Sequence, residues 1–476
     1  MIRKTKIIAT LGPACASHEG VEELVAAGMD VARLNFSHGD YDAHRAFAGW
    51  LREASEDQGR AVALLQDIQG PRIRSGTFAG DAVELAEGDE VTLRHGDGEA
   101  QPGEIFVDLL DAAVGLDVGH RVLMADGLLR FEVVSVAGGE IKARVLEGGT
   151  LTGHKGVSFP DTRLDLPTVT SKDERDLEFG AELGVDIIAA SFVTSGQDIR
   201  NVRKLAGGLP VIAKIERGLA YEHLDDIMSE AAGVMVARGD LGVELSLERV
   251  PMVQKDIIAR ANRSGRISIT ATEMLESMTL SPRPTRAEVA DVANAVIDGT
   301  DAVMLSAETA VGRFPVRAVK VMDVICREVE GDIDYRDQGV AFLEREQPFP
   351  SAVAKACVDA AESLELGAIL AFTESGSTAR LISKYRPAAR IIAFTAIEDT
   401  YRQMALYWGV TPLRIERFDS TDDMIETAAR AALEHGLVAE GDGVAMVAGI
   451  PPNQAASTNI LKLHIIGSGI SGTPKR

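Results

Sequence analysis

The sequence holds only three cysteines in 476 residues, Cys15, Cys326 and Cys357, far apart and without a CxxC pair. That scarcity argues against a disulfide framework or a zinc ribbon and fits a reducing compartment. No apolar run approaches the roughly 18 residues of a membrane span, so no contact with a bilayer is expected. The opening MIRKTKIIATLGP is basic, but its apolar run breaks at Gly12 and Pro13 and does not read as a secretory signal. The cytoplasm is the expected location. Cations are scarce too: 49 Lys and Arg stand against 72 Asp and Glu, a formal charge of −23. A nucleic-acid or anionic-membrane binder needs clustered basic residues, so both are set aside. Neither a Walker A motif nor a GxGxxG fingerprint occurs, which disfavours P-loop and Rossmann enzymes.

What is present is a rhythm. Eight short apolar, β-branched-rich runs begin at Lys6, Val31, Ala61, Asp186, Pro210, Gly233, Ile267 and Ala302. Most are separated by segments of helical periodicity, such as Ser17–Ala27 and Arg249–Ser264. Their starts lie 23 to 35 residues apart, with one gap of 125. Eight βα units at that pitch predict a closed (β/α)8 barrel. The gap then holds an insertion, rich in Gly and Asp, with alternating pieces such as EVTLRH, RFEVVSV and EIKARVL. It reads as a small β-barrel lid on the loop after the third strand. At about 150 residues per domain the length predicts about three domains. The expected division is barrel 1–71, lid 72–166, barrel 167–330, linker 331–350 and an open α/β domain 351–476.

Polar residues interrupt the barrel strands at their C-terminal ends: Thr10, Arg33 with Asn35, Asp67, Ser191, Lys214 with Glu216, Arg238 with Asp240, Thr272 with Glu273, and Ser306 with Glu308. In a barrel all these ends open on one face, where active sites sit. Burying so much charge without a task is costly. Glu216 and Asp240, from neighbouring strands, present two hard carboxylates suited to Mg²⁺ or Mn²⁺. Lys214 shares the strand face of Glu216. Metal, Lys214 and Arg33 together suit a phosphoryl group in flight, whose charge spreads over three oxygens. Gly239 and Gly242 in RGDLG offer backbone N–H groups to a carboxylate or phosphate. Rival readings are a Mg²⁺-dependent aldolase or lyase, and a non-catalytic metabolite-sensing scaffold.

These blocks resemble pyruvate kinase. The resemblance is carried by TKIIATLGPACAS, ARLNFSHGDYDAH, LLQDIQGPRIR, IAASFV, VIAKIER and MVARGDLGVEL. It is strongest in TATEMLESMTLSPRPTRAEVADVANAVIDGTDAVMLSAETAVGRFPVRAV, and TESGSTARLISKYRP and STNILKL extend it to the C-terminal domain. It implies the same three-part fold and a homotetramer. It also implies phosphoryl transfer from phosphoenolpyruvate to ADP, giving pyruvate and ATP in the last step of glycolysis. On that resemblance Lys214 stabilises the transferring phosphoryl, Glu216 and Asp240 hold the divalent metal, and Arg33 and Arg74 face phosphate. Thr272 lies near C3 of the enolate, Ser306 and Glu308 extend the proton relay, and Ser191 and Gly239 join the substrate site. Asp126 is a lid aspartate that swings toward the metal–nucleotide side.

One stretch departs from the family. Its monovalent-cation site uses Asn35, Ser37 and Asp67 here, but a hydroxyl ligand is replaced by Ile68 and an acidic residue by Arg72. A fixed guanidinium would supply locally the charge that K⁺ otherwise brings, so K⁺ is not expected to be required. In the C-terminal domain Thr373, Ser375, Gly376, Ser377 and Thr378 precede a helix and are candidates to cradle a sugar phosphate or AMP as effector. The later loop AGIPPNQAASTN lacks glycines typical of the family. His38 and His44 are expected to be structural or on the nucleotide side, and Trp50 and Trp408 to pack. Arg175–Gly184 is expected as a solvated helix face.

Overall fold

The computed structural model describes residues 3–137, 140–333, 348–418, 420–449 and 458–468. Eight parallel strands close into one barrel. They are Lys6–Thr10, Val31–Asn35, Ala63–Asp67, Ile187–Ala190, Val211–Ile215, Gly233–Ala237, Ile267–Ala271 and Ala302–Leu305. Each falls in one of the eight apolar runs. The ring closes where Lys6 pairs with Ala302 and Ala9 with Leu305. Across the long gap, Leu65 pairs with Ile187 and Asp67 with Ala189.

Alternation along these strands makes two cores. Ile8, Val31, Leu65, Ile187, Ile212, Met235 and Ile269 fill the interior. Their neighbours Ile7, Ala9, Ala32, Leu64, Ile188 and Ala213 pack outward against the helices. The helices begin where side chains can satisfy free amides. Ser17 accepts from Gly20 N–H, and Thr170 with Asp173, Ser195 with Asp198 and Thr285 with Glu288 form reciprocal capping boxes. The expected helices appear as His18–Ala27 and Val250–Arg263. The helix Ser171–Leu183 corrects an expectation: it buries Asp173, Asp176, Leu177, Phe179 and Gly180 rather than presenting a solvated face. Asp176 takes a hydrogen bond from Tyr41 and an ion pair from Lys172, which is what lets a carboxylate be buried there.

The inserted unit carries a six-stranded mixed sheet. Its order is Val157–Ser158, Arg121–Met124, Leu129–Ala137, Glu140–Glu147, Glu90–His95 and Glu104–Val107. Three two-stranded ribbons join it, and all of them share one apolar core around Phe131, Val133, Phe159 and Leu93. The C-terminal domain is a five-stranded sheet whose last strand, Ile460–Ile465, runs antiparallel to Gly443–Ala448. Its residues Ala405 and Leu406 join the apolar cluster of the barrel interior and so seal the floor. Beside them Asp301 pairs with Lys384 and Arg386, all three buried, and Lys6 donates to the Val410 carbonyl. Trp408 packs as expected, under the Arg386 guanidinium 4.5 Å away, and Trp50 meets Phe47 edge-on. With the floor sealed and the interior packed, the barrel's open end is its mouth beneath the inserted unit.

Of the linker expected over 331–350, residues 334–347 lie outside the described residues. So does most of AGIPPNQAASTN. Among the described residues no helix is long and apolar enough to cross a membrane.

Candidate active site

The strand ends converge into one hydrogen-bonded network. Lys214 Nζ lies 2.8 Å from Glu216 Oε1, 2.7 Å from Ser191 Oγ and 3.2 Å from Asp67 Oδ1. Asp67 is held from its other side by Arg33, whose Nε and Nη2 approach Oδ2 at 2.8 and 2.7 Å. Arg33 Nη1 also donates to Thr10 Oγ1. Burial alone would raise the Asp67 carboxyl, but Lys214 and Arg33 outweigh it and hold the group below the usual carboxylate range. Asp67 is therefore an anion already paired with two cations. Ser191 donates to the Ile68 carbonyl while it accepts from Lys214, which makes it a support for the ammonium.

Glu216 is almost wholly buried, and its Oε2 takes the Phe192 N–H at 2.6 Å. Burial pushes its carboxyl up to about 7, against the pull of Lys214 and with Asp240 adding to the rise. Asp240 stands in the first turn of helix Arg238–Leu245, with its side chain partly exposed. Among the described residues no cluster of three His, Cys, Asp or Glu could hold a metal alone. Two hard carboxylates from neighbouring strand ends fit Mg²⁺, which takes one or two protein carboxylates and completes its shell with water and phosphate oxygens.

Thr272 follows the seventh strand with φ +66, and Glu273 with φ +53. A β-branched residue there is strained, by about 1–3 kcal/mol, and such strain persists where the surroundings impose it. Thr272 Oγ1 donates to the Ala271 carbonyl and accepts from Gly239 N–H at 3.0 Å. A side chain at Gly239 would approach nothing closer than Thr272 Oγ1 at 3.9 Å, so the space beside that glycine is open.

The lid brings two groups to the same mouth. Asp126 sits at a tip where Ala125, Asp126 and Gly127 all have positive φ, and its Oδ1 accepts from Arg72 at 3.3 Å. Arg72 Nη2 also lies 3.9 Å from Asp240. Arg72 thus bridges lid and barrel rather than pointing into solvent. Ile68, which stands where the family has a hydroxyl, is buried in the barrel core. Asn35 Oδ1 accepts the backbone N–H of Ser37 at 3.1 Å.

Several expected residues serve differently. Glu308, expected in a proton relay, is fully buried with Oε1 on Leu275 N–H and Oε2 on Ser306 N–H. Both oxygens are committed to backbone, so it fixes the loop that bears Ser306. Arg74 is turned to the lid, where its Nη1 donates to the His154 carbonyl. Thr378, expected in an open effector loop, is buried and shares a hydrogen bond with Thr458. Ser375 is exposed and Ser377 half-buried beside Gly376, a left-handed residue that begins helix Ser377–Lys384 without a side-chain cap. Thr373 precedes them with its amide on the Phe394 carbonyl. His44 stacks on Phe36, and burial lowers its pKa, as suits a structural ring. Phe192, whose amide fixes Glu216, is not among the expected site residues.

Comparison with known proteins follows the same outline. Residues 2–319 match the pyruvate kinase barrel domain, and residues 351–464 the pyruvate kinase alpha/beta domain. Pyruvate kinase of Geobacillus stearothermophilus is 43% identical over 474 residues, covering 98% of this chain and 81% of that protein. Pyruvate kinase of Staphylococcus saprophyticus is 43% identical over 481 residues, covering 99% and 82%. Pyruvate kinase of Sporosarcina psychrophila is 41% identical over 475 residues, covering 98% and 81%.

Proposed function

Because the chain belongs to the pyruvate kinase family, we propose that it transfers the phosphoryl group of phosphoenolpyruvate to ADP at the barrel mouth. The observation that carries this reading is the Lys214 ammonium, held by Ser191, Glu216 and Asp67 at the barrel mouth. In the reaction the enol P–O bond breaks, a bond forms from phosphorus to a terminal ADP oxygen, and the pyruvate enolate takes one proton at C3. Lys214 and Arg33 stand on the phosphoryl side, where charge spreads over three oxygens in the transition state. Thr272 and the open space at Gly239 receive the enolate end, with Thr272 holding the proton path to C3. Ser306 lines that path, and Glu308 and Ser191 position their neighbours. Glu216 and Asp240 would hold Mg²⁺, which supplies Lewis-acid stabilisation of oxygen charge when bound. Asp126 and Arg72 bring the lid to the nucleotide side, and Arg74 supports it there.

The finer readings rest on particular residues. Independence from K⁺ is supported by Ile68 in place of a hydroxyl and by Arg72, whose guanidinium stands next to Asp240. Control by a phosphorylated metabolite at Thr373–Ser377 is supported by the hydroxyls of exposed Ser375 and half-buried Ser377 and by the uncapped helix start. A homotetramer is supported by exposed Leu280, Val289, Val311 and Val324 on the barrel. A cytoplasmic setting agrees with three free, buried cysteines.

An assay for ADP-dependent pyruvate release from phosphoenolpyruvate with Mg²⁺ tests the reading directly. Turnover is the expected outcome. Sugar-phosphate binding without pyruvate release would instead support a metabolite-sensing scaffold.

A further inference from the structure

Arg238 directly follows the sixth barrel strand and counts, by sequence, as one more charge at the mouth. Its contacts show a different use. An arginine donates from three nitrogens, and each of the three is engaged inside the protein. Nε is shared between the Ala271 and Thr272 carbonyls, each at 3.1 Å. Nη2 donates again to the Thr272 carbonyl and to Met274 Sδ. Nη1 meets both carboxylate oxygens of Asp291, at 2.8 and 2.6 Å. The guanidinium is thus turned to the protein's own carbonyls and to Asp291.

What this guanidinium grips is the left-handed turn at Thr272 and Glu273. The turn aims the Thr272 carbonyl at Arg238, while the Thr272 hydroxyl sits under the amide of Gly239, the next residue along from Arg238. Two consecutive residues therefore hold the two ends of one threonine. Asp291, on helix Arg286–Ile297, fixes the clamp from behind with two charge-assisted bonds. A conformation that a β-branched residue disfavours persists only where neighbours over-determine it, and here the neighbours are identified.

We propose that Arg238 is a positioning residue that sets Thr272 for its part at the enolate, an inference that rests on the function assigned above. Arg238 does not touch substrate. Its loss mis-sets the threonine and leaves the nucleotide side intact, so the effect falls on kcat.

The test compares Arg238→Met, Arg238→Lys, Asp291→Asn, Thr272→Ala and the double variant Arg238→Met/Thr272→Ala. Arg238→Met is expected to lower kcat on the order of a hundredfold, with the KM for ADP within about twofold. Arg238→Lys recovers only part, because one ammonium cannot span these acceptors. Asp291→Asn keeps the guanidinium and gives an intermediate loss, which decides the matter if Arg238→Met does not fold. The double variant is expected to be no slower than Thr272→Ala, since both act through one side chain. Losses that multiply overturn the proposal. So does a crystal structure of Arg238→Met, or of Asp291→Asn should Arg238→Met not fold, in which Thr272 keeps its left-handed φ and its bond to Gly239 undisturbed. That structural arm decides for or against the clamp even if the unmodified protein releases no pyruvate, an outcome that would refute the functional reading alone.

Discussion

Lys214 and Glu216 stand two residues apart on one strand face, and their charged ends meet at 2.8 Å with both side chains nearly buried. The pair is neutral on paper, yet its carboxyl is pushed up to about 7, since burial costs that anion more than the ammonium returns. Lys214 is thus the shared counter-ion of Glu216 and Asp67 at the barrel mouth.

Replacing the ammonium therefore has two consequences. Lys214→Met is expected to reduce kcat by about 10²–10³-fold with little change in the KM for phosphoenolpyruvate, because its contact strengthens as charge develops. It also strands Glu216 and half of the Asp67 network, so stability falls by up to about 3–5 kcal/mol. Steady-state kinetics and a urea titration read the two effects separately. Near-normal turnover would remove Lys214 from the mechanism.

The divalent ion is the second point of control. Chelation with EDTA is expected to abolish turnover, and Mg²⁺ to restore it. Asp240→Asn should raise the Mg²⁺ concentration for half-maximal rate by at least about 10–100-fold. An unchanged Mg²⁺ titration in that variant would take Asp240 out of the metal site.

Exchange of K⁺ for a bulky tetraalkylammonium ion is expected to leave kcat within about twofold, because Arg72 already supplies a positive charge beside Asp240. Arg72→Glu removes it and is expected to lower the rate about tenfold or more in the absence of K⁺. A many-fold drop in the unmodified protein without K⁺ would contradict this.

The floor of the barrel has its own pH dependence. Burial alone would raise the Asp301 carboxyl, but Lys384 and Arg386 outweigh it and hold the group below the usual carboxylate range. A carboxyl depressed in the folded state contributes stability that is complete above its unfolded pKa, near 3.8, and disappears as pH falls through the folded value. Asp301→Asn, which leaves two buried cations without a counter-ion, is expected to cost about 3–5 kcal/mol at pH 7. The gap should narrow below about pH 4. Urea unfolding at pH 7, 4 and 3 measures it, and a constant gap down to pH 3 would disprove the assignment.

The barrel was legible because its signals are local and repeated. Each strand is a short apolar run, and helices such as His18–Ala27 and Ser171–Leu183 open on a capping side chain. Lys214 and Glu216 were legible for a related reason, since residues two apart on a strand must share a face. The remainder depends on contacts between distant segments. Nothing near Glu308 foretells that its oxygens cap amides of Leu275 and Ser306. Arg238 looks like any mouth cation until Thr272 and Asp291, more than thirty residues away, come to lie around it. Phe192 serves through its amide, which every residue but proline possesses. The helix at 171–183 misleads because acidic residues normally mark solvent, whereas Tyr41 and Lys172 make Asp176 affordable inside.

The pairing of Lys6–Ala9 with Ala302–Leu305 has a consequence in time. These edges lie about 300 residues apart, so a ribosome adding about 5–20 residues per second needs roughly 15–60 s to bring the last strand to the first. The third strand likewise waits for the whole inserted unit before Ile187 can reach Leu65. Meanwhile the inserted unit, whose sheets and apolar core are its own, can fold as soon as it emerges. The nascent chain therefore passes through a stage with a finished lid above an unclosed ring, offering two open strand edges to any chaperone, or any neighbour, that pairs with them first.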